Sequence, residues 1–322
     1  MPGSQESIPA TALVSLFLAN VFRQVEEGLQ RRFPEVSLTL FWNVSCPIDH
    51  LDRKDLRSSW ERMTGAAIEL RHQISNPVPA DILALATKLA SSLIPPPKEE
   101  RNYFVCPETL AAVKSFLESH KAESKTYAIV DVGAGTTEVS FFFNGRAMTE
   151  PGQPFRPSCL ADSTQAIGGV NMDLELAELW KCSVLEARRQ KERARHPIPS
   201  LKTFQEIRSQ YWRTCGEIAK HKKLISPDDK RFDLFLIGGG GRLTSLRKAL
   251  EVRTLPGNFV LETIRPLDVP EKLQDRSRFE SDYDLLAIAC GLASSLDWQY
   301  YQRDEVEPMH LPLKYSPSFE EQ

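Results

Sequence analysis

From Thr11 the apolar positions Leu13, Leu16, Phe17, Val21, Val25 and Leu29 recur at helical spacing, which predicts a helix with one face packed down. Residues 36–44 then alternate, with Leu38, Leu40 and Trp42 on one side, and predict a strand ended by Cys46-Pro47. A second helix is expected over 52–70, burying Leu56, Trp60, Met63 and Ala67. Pro77, Pro79 and Pro95-Pro96-Pro97 bracket a further helix at 80–93, and residues 71–101 read as an insertion. A helix at 109–119 follows, and 127–143 predicts two strands joined by a glycine turn. Residues 150–166, rich in Pro and Ser, read as loop, and Gly168-Gly169 leads into a helix at 172–182. Phe204, Ile207, Tyr211, Cys215 and Ile218 mark a long amphipathic helix. Residues 232–237 form an apolar strand, four glycines follow, and helices are expected at 243–250 and 283–296. Strands alternating with helices define an α/β class.

The 322 residues fit one large domain or two smaller ones. The 40 Lys and Arg against 43 Asp and Glu leave a net charge of −3, so nothing global points to nucleic acid or an anionic membrane. Six single cysteines without a C-x-x-C pair suit reduced thiols in a cytoplasmic protein better than disulfides or zinc. The apolar stretch 12–22 is too short to span a bilayer, which takes about 20 residues. The basic run 186–196 reads as a wet helical surface. Residues 1–10 are expected to be a loose leader and 299–322 a disordered tail.

Chemistry concentrates in two turns. Residues 128–141 deliver one carboxylate, Asp131, to the end of an apolar strand, then turn on Gly133, Ala134 and Gly135 into Thr136, Thr137 and Glu138. Glycines let backbone amides approach an anion, the threonines add hydroxyls, and a carboxylate beside a phosphate cradle suits magnesium. A tight hairpin needs only about two such residues, so the surplus argues for a ligand. In the second turn an apolar strand, 234–237, runs into Gly238, Gly239, Gly240 and Gly241 and then Arg242, whose guanidinium could stack on a purine. Neither turn fits a dinucleotide fingerprint, because Glu138 stands where the third glycine belongs. Glu217 and Lys220 share one face of a helix.

In this order the pieces resemble the actin, heat-shock-chaperone and sugar-kinase ATPase superfamily, with spacing most like the DnaK-type branch, from about Ala12 to Leu296. The resemblance implies an actin-like ATPase fold of two ribonuclease H-like lobes, 11–145 and 146–298, binding ATP or ADP with magnesium. Residues 131–140 resemble the second phosphate motif and 234–243 the adenosine motif. By that match Asp131 and Glu108 are catalytic and Asp131 holds the metal. Gly133, Gly135, Thr136, Thr137, Gly168, Gly169, Glu217, Lys220, Gly238, Gly239, Gly240 and Arg242 hold the nucleotide, Arg242 against adenine. Asp131 and Arg242 are expected to face one cleft from opposite lobes. Small residues at Ala287, Ala289 and Gly291 resemble a helix that crosses another closely.

Three departures are visible. The family's first phosphate loop and catalytic lysine have no counterpart, so the fold reads as N-terminally incomplete. Pro107-Glu108-Thr109 displaces a glutamate by one position. Glu138 replaces an aspartate and Ala134 a glycine. The strand at 36–44 and the hairpin at 127–143 are expected to share one sheet left with an open edge, exposing Trp42 and the Phe141-Phe142-Phe143 run. A divergent ATPase with doubtful hydrolysis and a non-enzymatic interaction module with protein partners both remain open.

Overall fold

The computed structural model describes residues 8–74, 78–97, 100–117, 122–144, 158–193, 198–218, 230–252, 254–270, 273, 276–280 and 282–293. In chain order the elements are α1 (Ala10–Arg32), β1 (Trp42–Cys46), α2 (Ile48–Asp52), α3 (Lys54–Leu70), α4 (Ala80–Ser92), β2 (Tyr103–Pro107) and α5 (Glu108–Leu117). They continue with β3 (Thr126–Val132), β4 (Thr137–Phe143), β5 (Ser158–Gln165), α6 (Gly169–Trp180), α7 (Val184–Glu192) and α8 (Lys202–Ile218). The last are β6 (Arg231–Ile237), α9 (Gly238–Gly241), α10 (Thr244–Leu250), β7 (Thr254–Leu255), β8 (Phe259–Arg265) and α11 (Tyr283–Ala293).

The described strands form two sheets. Six lie in the order β5-β4-β3-β6-β8-β7, and β1 and β2 pair in parallel by themselves. In the large sheet β3 runs parallel to β6 and antiparallel to β4, while β6 runs parallel to β8. Both faces of this sheet are covered, which is why β3 is buried throughout and reads as an unbroken apolar run. Ala128, Val130, Val132 and Phe141 pack under α6, α8 and α10. Tyr127, Ile129, Phe142 and Phe235 face α5 and α11 instead. A third cluster seats α1, α3 and α4 on Trp42, Val44 and Tyr103 of the small sheet. The α/β class stands, and among the described residues no helix is long and apolar enough to cross a membrane.

Several sequence expectations are corrected. The hairpin at 127–143 belongs to the six-stranded sheet and does not share one with β1. Phe141 and Phe142 are therefore wholly buried on opposite faces, and Trp42 is buried under Phe22 with ring centroids 4.2 Å apart. The strand expected at 36–44 begins only at Trp42. The stretch read as loop at 150–166 contains β5, an edge strand whose polar, hydroxyl-rich sequence gives little alternation. The helix expected at 80–93 is present as α4, with Ala86 and Ala90 buried. In α1 the buried face is Ala12, Ser15, Leu16, Ala19 and Phe22, because close helix contacts select small side chains; Leu13, Phe17, Val21 and Val25 stay exposed.

α5 and α11 cross so closely that a Cβ on Gly291 would fall inside the carbonyl oxygen of Ala111. This contact fixes where α5 begins, and α5 begins with Glu108 and Thr109.

Candidate functional site

β3 and β6 are parallel neighbours, and their carboxyl ends lie side by side, with Asp131 in register with Ile237. In open α/β sheets the crevice outside such strand ends is where ligands bind. After Ile237 the chain turns at Gly238, whose φ of 74° only glycine adopts without strain, and whose missing Cβ would collide with Asp131 Oδ1. Gly240 leaves no room for a side chain either, being against Val132 Cγ1. Gly239 and Gly135 have open space where a Cβ would stand. The second glycine turn thus wraps the first strand's end, and Asp131 and Arg242 stem from adjacent strands of one sheet rather than from opposite lobes.

The turn between β3 and β4 is closed by Gly133 N donating to Thr136 O at 2.9 Å, with Ala134, Gly135 and Thr136 exposed. Its back is held by α6: Gly169 N donates to Gly133 O at 2.9 Å and Val170 N to Ala134 O at 2.7 Å. Gly168 is required here, since a Cβ would lie 2.8 Å from Gly133 O. The Thr137 hydroxyl is buried and donates to Ile167 O at 2.7 Å, so it locks the turn.

Carboxylates gather on the α5 face of the sheet. Asp131 and Glu138 are direct cross-strand partners, and both are buried. Glu138 Oε1 accepts from Ile48 N at 3.0 Å and from the Thr109 hydroxyl at 3.2 Å, and that hydroxyl lies 2.9 Å from Ser140 Oγ. Glu138 Oε2 is buried without a hydrogen-bond partner among the described residues. Burial, reinforced by the Glu108 charge, raises the Asp131 carboxyl to about 7. Burial also pushes Glu138 well above the usual range, with Glu108, Asp131 and Asp162 adding to it against the Ile48 amide. Glu108 is raised by burial. Three acids held close in a dry corner favour either protons or a cation.

The other predicted residues are placed differently. Arg242 donates Nε to Asp284 Oδ2 at 2.7 Å and Nη2 to Asp284 Oδ1 at 2.6 Å and Asp282 Oδ1 at 2.9 Å, so its guanidinium is engaged with the start of α11. Glu217 is exposed on α8, and Lys220 lies outside the described residues. The basic run is not merely wet. Buried Asp173 of α6 receives Arg188 Nε at 2.7 Å and Lys191 Nζ at 2.5 Å, and Lys191 also donates to Gly169 O at 3.2 Å. Sequence reasoning missed Glu138, Thr109 and Ser140 as parts of the carboxylate corner, and Lys191 as a partner of Asp173. For Glu138 a signal existed: a hairpin symmetric about 133–136 places it opposite Asp131.

No family model and no curated protein matches the chain. Among solved structures it is similar to the ethanolamine utilization protein EutJ from Carboxydothermus hydrogenoformans, at 14% identity and a TM-score of 0.39, covering 89% of this chain and 77% of that one. It is also similar to a non-polymerisable quadruple mutant of pCBH ParM, at 12% identity and a TM-score of 0.41, covering 78% of this chain and 66% of that one. TM-scores this low leave both likenesses without weight for fold or function.

Proposed function

We propose that the chain is a divergent relative of the actin-like, heat-shock-chaperone-type ATPase domains that binds adenine nucleotide together with magnesium at the carboxyl ends of β3 and β6. One observation carries the reading: Asp131, Glu138 and Glu108 converge beside two glycine turns in which Gly135 and Gly239 leave open space. The residues fit a magnesium ion, which asks for one or two carboxylates and keeps several waters. Among the described residues no three acids, His or Cys stand close enough to chelate a metal outright, and the orphaned Glu138 Oε2 suits a contact through water. Asp131 would hold the ion, Glu108 and Glu138 would orient its waters, and the exposed 134–136 turn would face the phosphates. When bound, such an ion supplies neutralisation of phosphate charge.

One observation favours a second reading, an interaction module without nucleotide. Arg242, expected on adenine, is already held by two aspartates. Calorimetry separates the two. Nucleotide binding predicts magnesium-dependent heat with ATP in the wild type and at least tenfold weaker affinity in Asp131→Asn. An Arg242→Ala change should cost about 1–2 kcal/mol, or roughly tenfold in affinity, if the arginine turns onto the base. No heat at millimolar nucleotide overturns the proposal and leaves the interaction module.

A further inference from the structure

Half of the large apolar side chains that the described residues expose lie between Ile8 and Phe41. Scattered exposed apolar residues need no explanation, but concentration in one stretch does. Leu13, Phe17, Val21 and Val25 stand four apart on α1 and form one continuous row, with Phe17 66% exposed. Four more lie from Phe33 to Phe41. Because Phe22 stacks on Trp42, the segment 33–41 must double back along α1 over the roughly 15 Å between Arg32 and Phe22. The returning segment therefore runs alongside α1. Beside them lies β1, whose only strand partner among the described residues is β2.

We propose that this face is where two copies of the chain meet, α1 against α1 about a two-fold axis. Weighted by their exposures, the apolar residues from Ile8 to Phe41 offer on the order of 800 Å², about what one partner contributes to a stable interface. A row at four-residue spacing can interdigitate with its own copy, ridge into groove. Residues 8–22 contain no charged side chain, so a copy meets no like-charge repulsion there. That same lack of Lys and Arg over 8–22 argues against an anionic lipid surface as the occupant. The face is separate from the carboxylate corner, and the inference does not rest on nucleotide binding.

Sedimentation equilibrium of the full chain tests it, with Phe17→Asp beside the wild type. The wild type should dimerise at low micromolar concentration, and the variant should dissociate at least 100-fold more readily while melting at the same temperature when both are diluted to monomers. Should the variant misfold, hydrogen exchange of the wild type still decides: amides of 10–32 should gain protection as concentration rises. A wild type that stays monomeric at about 100 μM overturns the proposal. So does a dimer that Phe17→Asp leaves intact, or exchange in α1 that ignores concentration.

Discussion

Gly291→Ala tests the helix crossing that positions Glu108. The added Cβ would fall on the Ala111 carbonyl, a backbone oxygen that cannot rotate away, so α11 and α5 would have to part by on the order of 1 Å. Overpacking of that kind costs about 1–3 kcal/mol. Parting also loosens the cluster behind the crossing, where Phe116, Leu110, Tyr283 and Ala287 are buried, and strains the Thr109 contacts to Glu138 and Ser140. Against this, alanine favours a helix over glycine by about 1 kcal/mol. Taking the upper end of that cost, as an overlap with backbone this deep requires, the net is a loss of about 2 kcal/mol, which for a chain of this size lowers the melting temperature by roughly 3 °C. Gly28→Ala is the control. It lies in α1 with nothing within 4 Å of a Cβ, so it keeps the propensity gain alone and should raise stability by about 1 kcal/mol. Thermal melts followed by circular dichroism, with urea titrations beside them, read both. A Gly291→Ala protein that melts within about 1 °C of the wild type would refute the close crossing.

The Asp131 carboxyl titrates near 7 in the folded chain and near 4 when unfolded, so the folded state holds the extra proton in between. Its contribution to stability is complete below about pH 4 and is lost as pH climbs through 7. Urea titrations should show the wild type losing stability relative to Asp131→Asn from pH 5 to 7.5; parallel curves would sink the assignment. Lys191→Met leaves buried Asp173 with Arg188 alone and should cost about 1–3 kcal/mol. A double-mutant cycle with Asp173→Asn should return a coupling above about 1 kcal/mol, and additivity would mean the contact is idle. Magnesium at millimolar concentration should raise the wild-type melting temperature at pH 7.5 and leave that of Asp131→Asn unchanged.

Local pattern revealed most of the central elements. The strand ending at Asp131, the turn and the strand ending at Ile237 were legible because a strand buried on both faces is apolar along its whole length. Gly291 was legible as a small residue for a close crossing. Which sheet each strand joins was not, since register between distant segments leaves no local trace. The face of α1 was misread because bulk was taken for burial, while the contacts with α3 and α4 use Ala12, Ser15 and Ala19. β8 alternates through Phe259 and Leu261, then shifts by one residue at a bulge opposite Phe232, which blurs its period. Glu138 looked like a departure from a pattern, and only its three-dimensional setting reveals a buried acid capping Ile48.

The start of α6 has its donors occupied. Gly169 and Val170 give their amides to the turn's own carbonyls, and Gly168 N donates to Asn171 Oδ1. A helix beginning so near a glycine turn would ordinarily draw anions by its exposed amides. Here that attraction is used up in holding the turn rigid. Under the proposed function, a bare polyanion would meet repulsion from whichever of Asp131, Glu108 and Glu138 is ionised and would favour their protonated forms. The same polyanion carrying a divalent cation would favour their ionised forms and be attracted by them. If nucleotide binds as proposed, the corner would discriminate by the charge a ligand brings with it rather than by its shape.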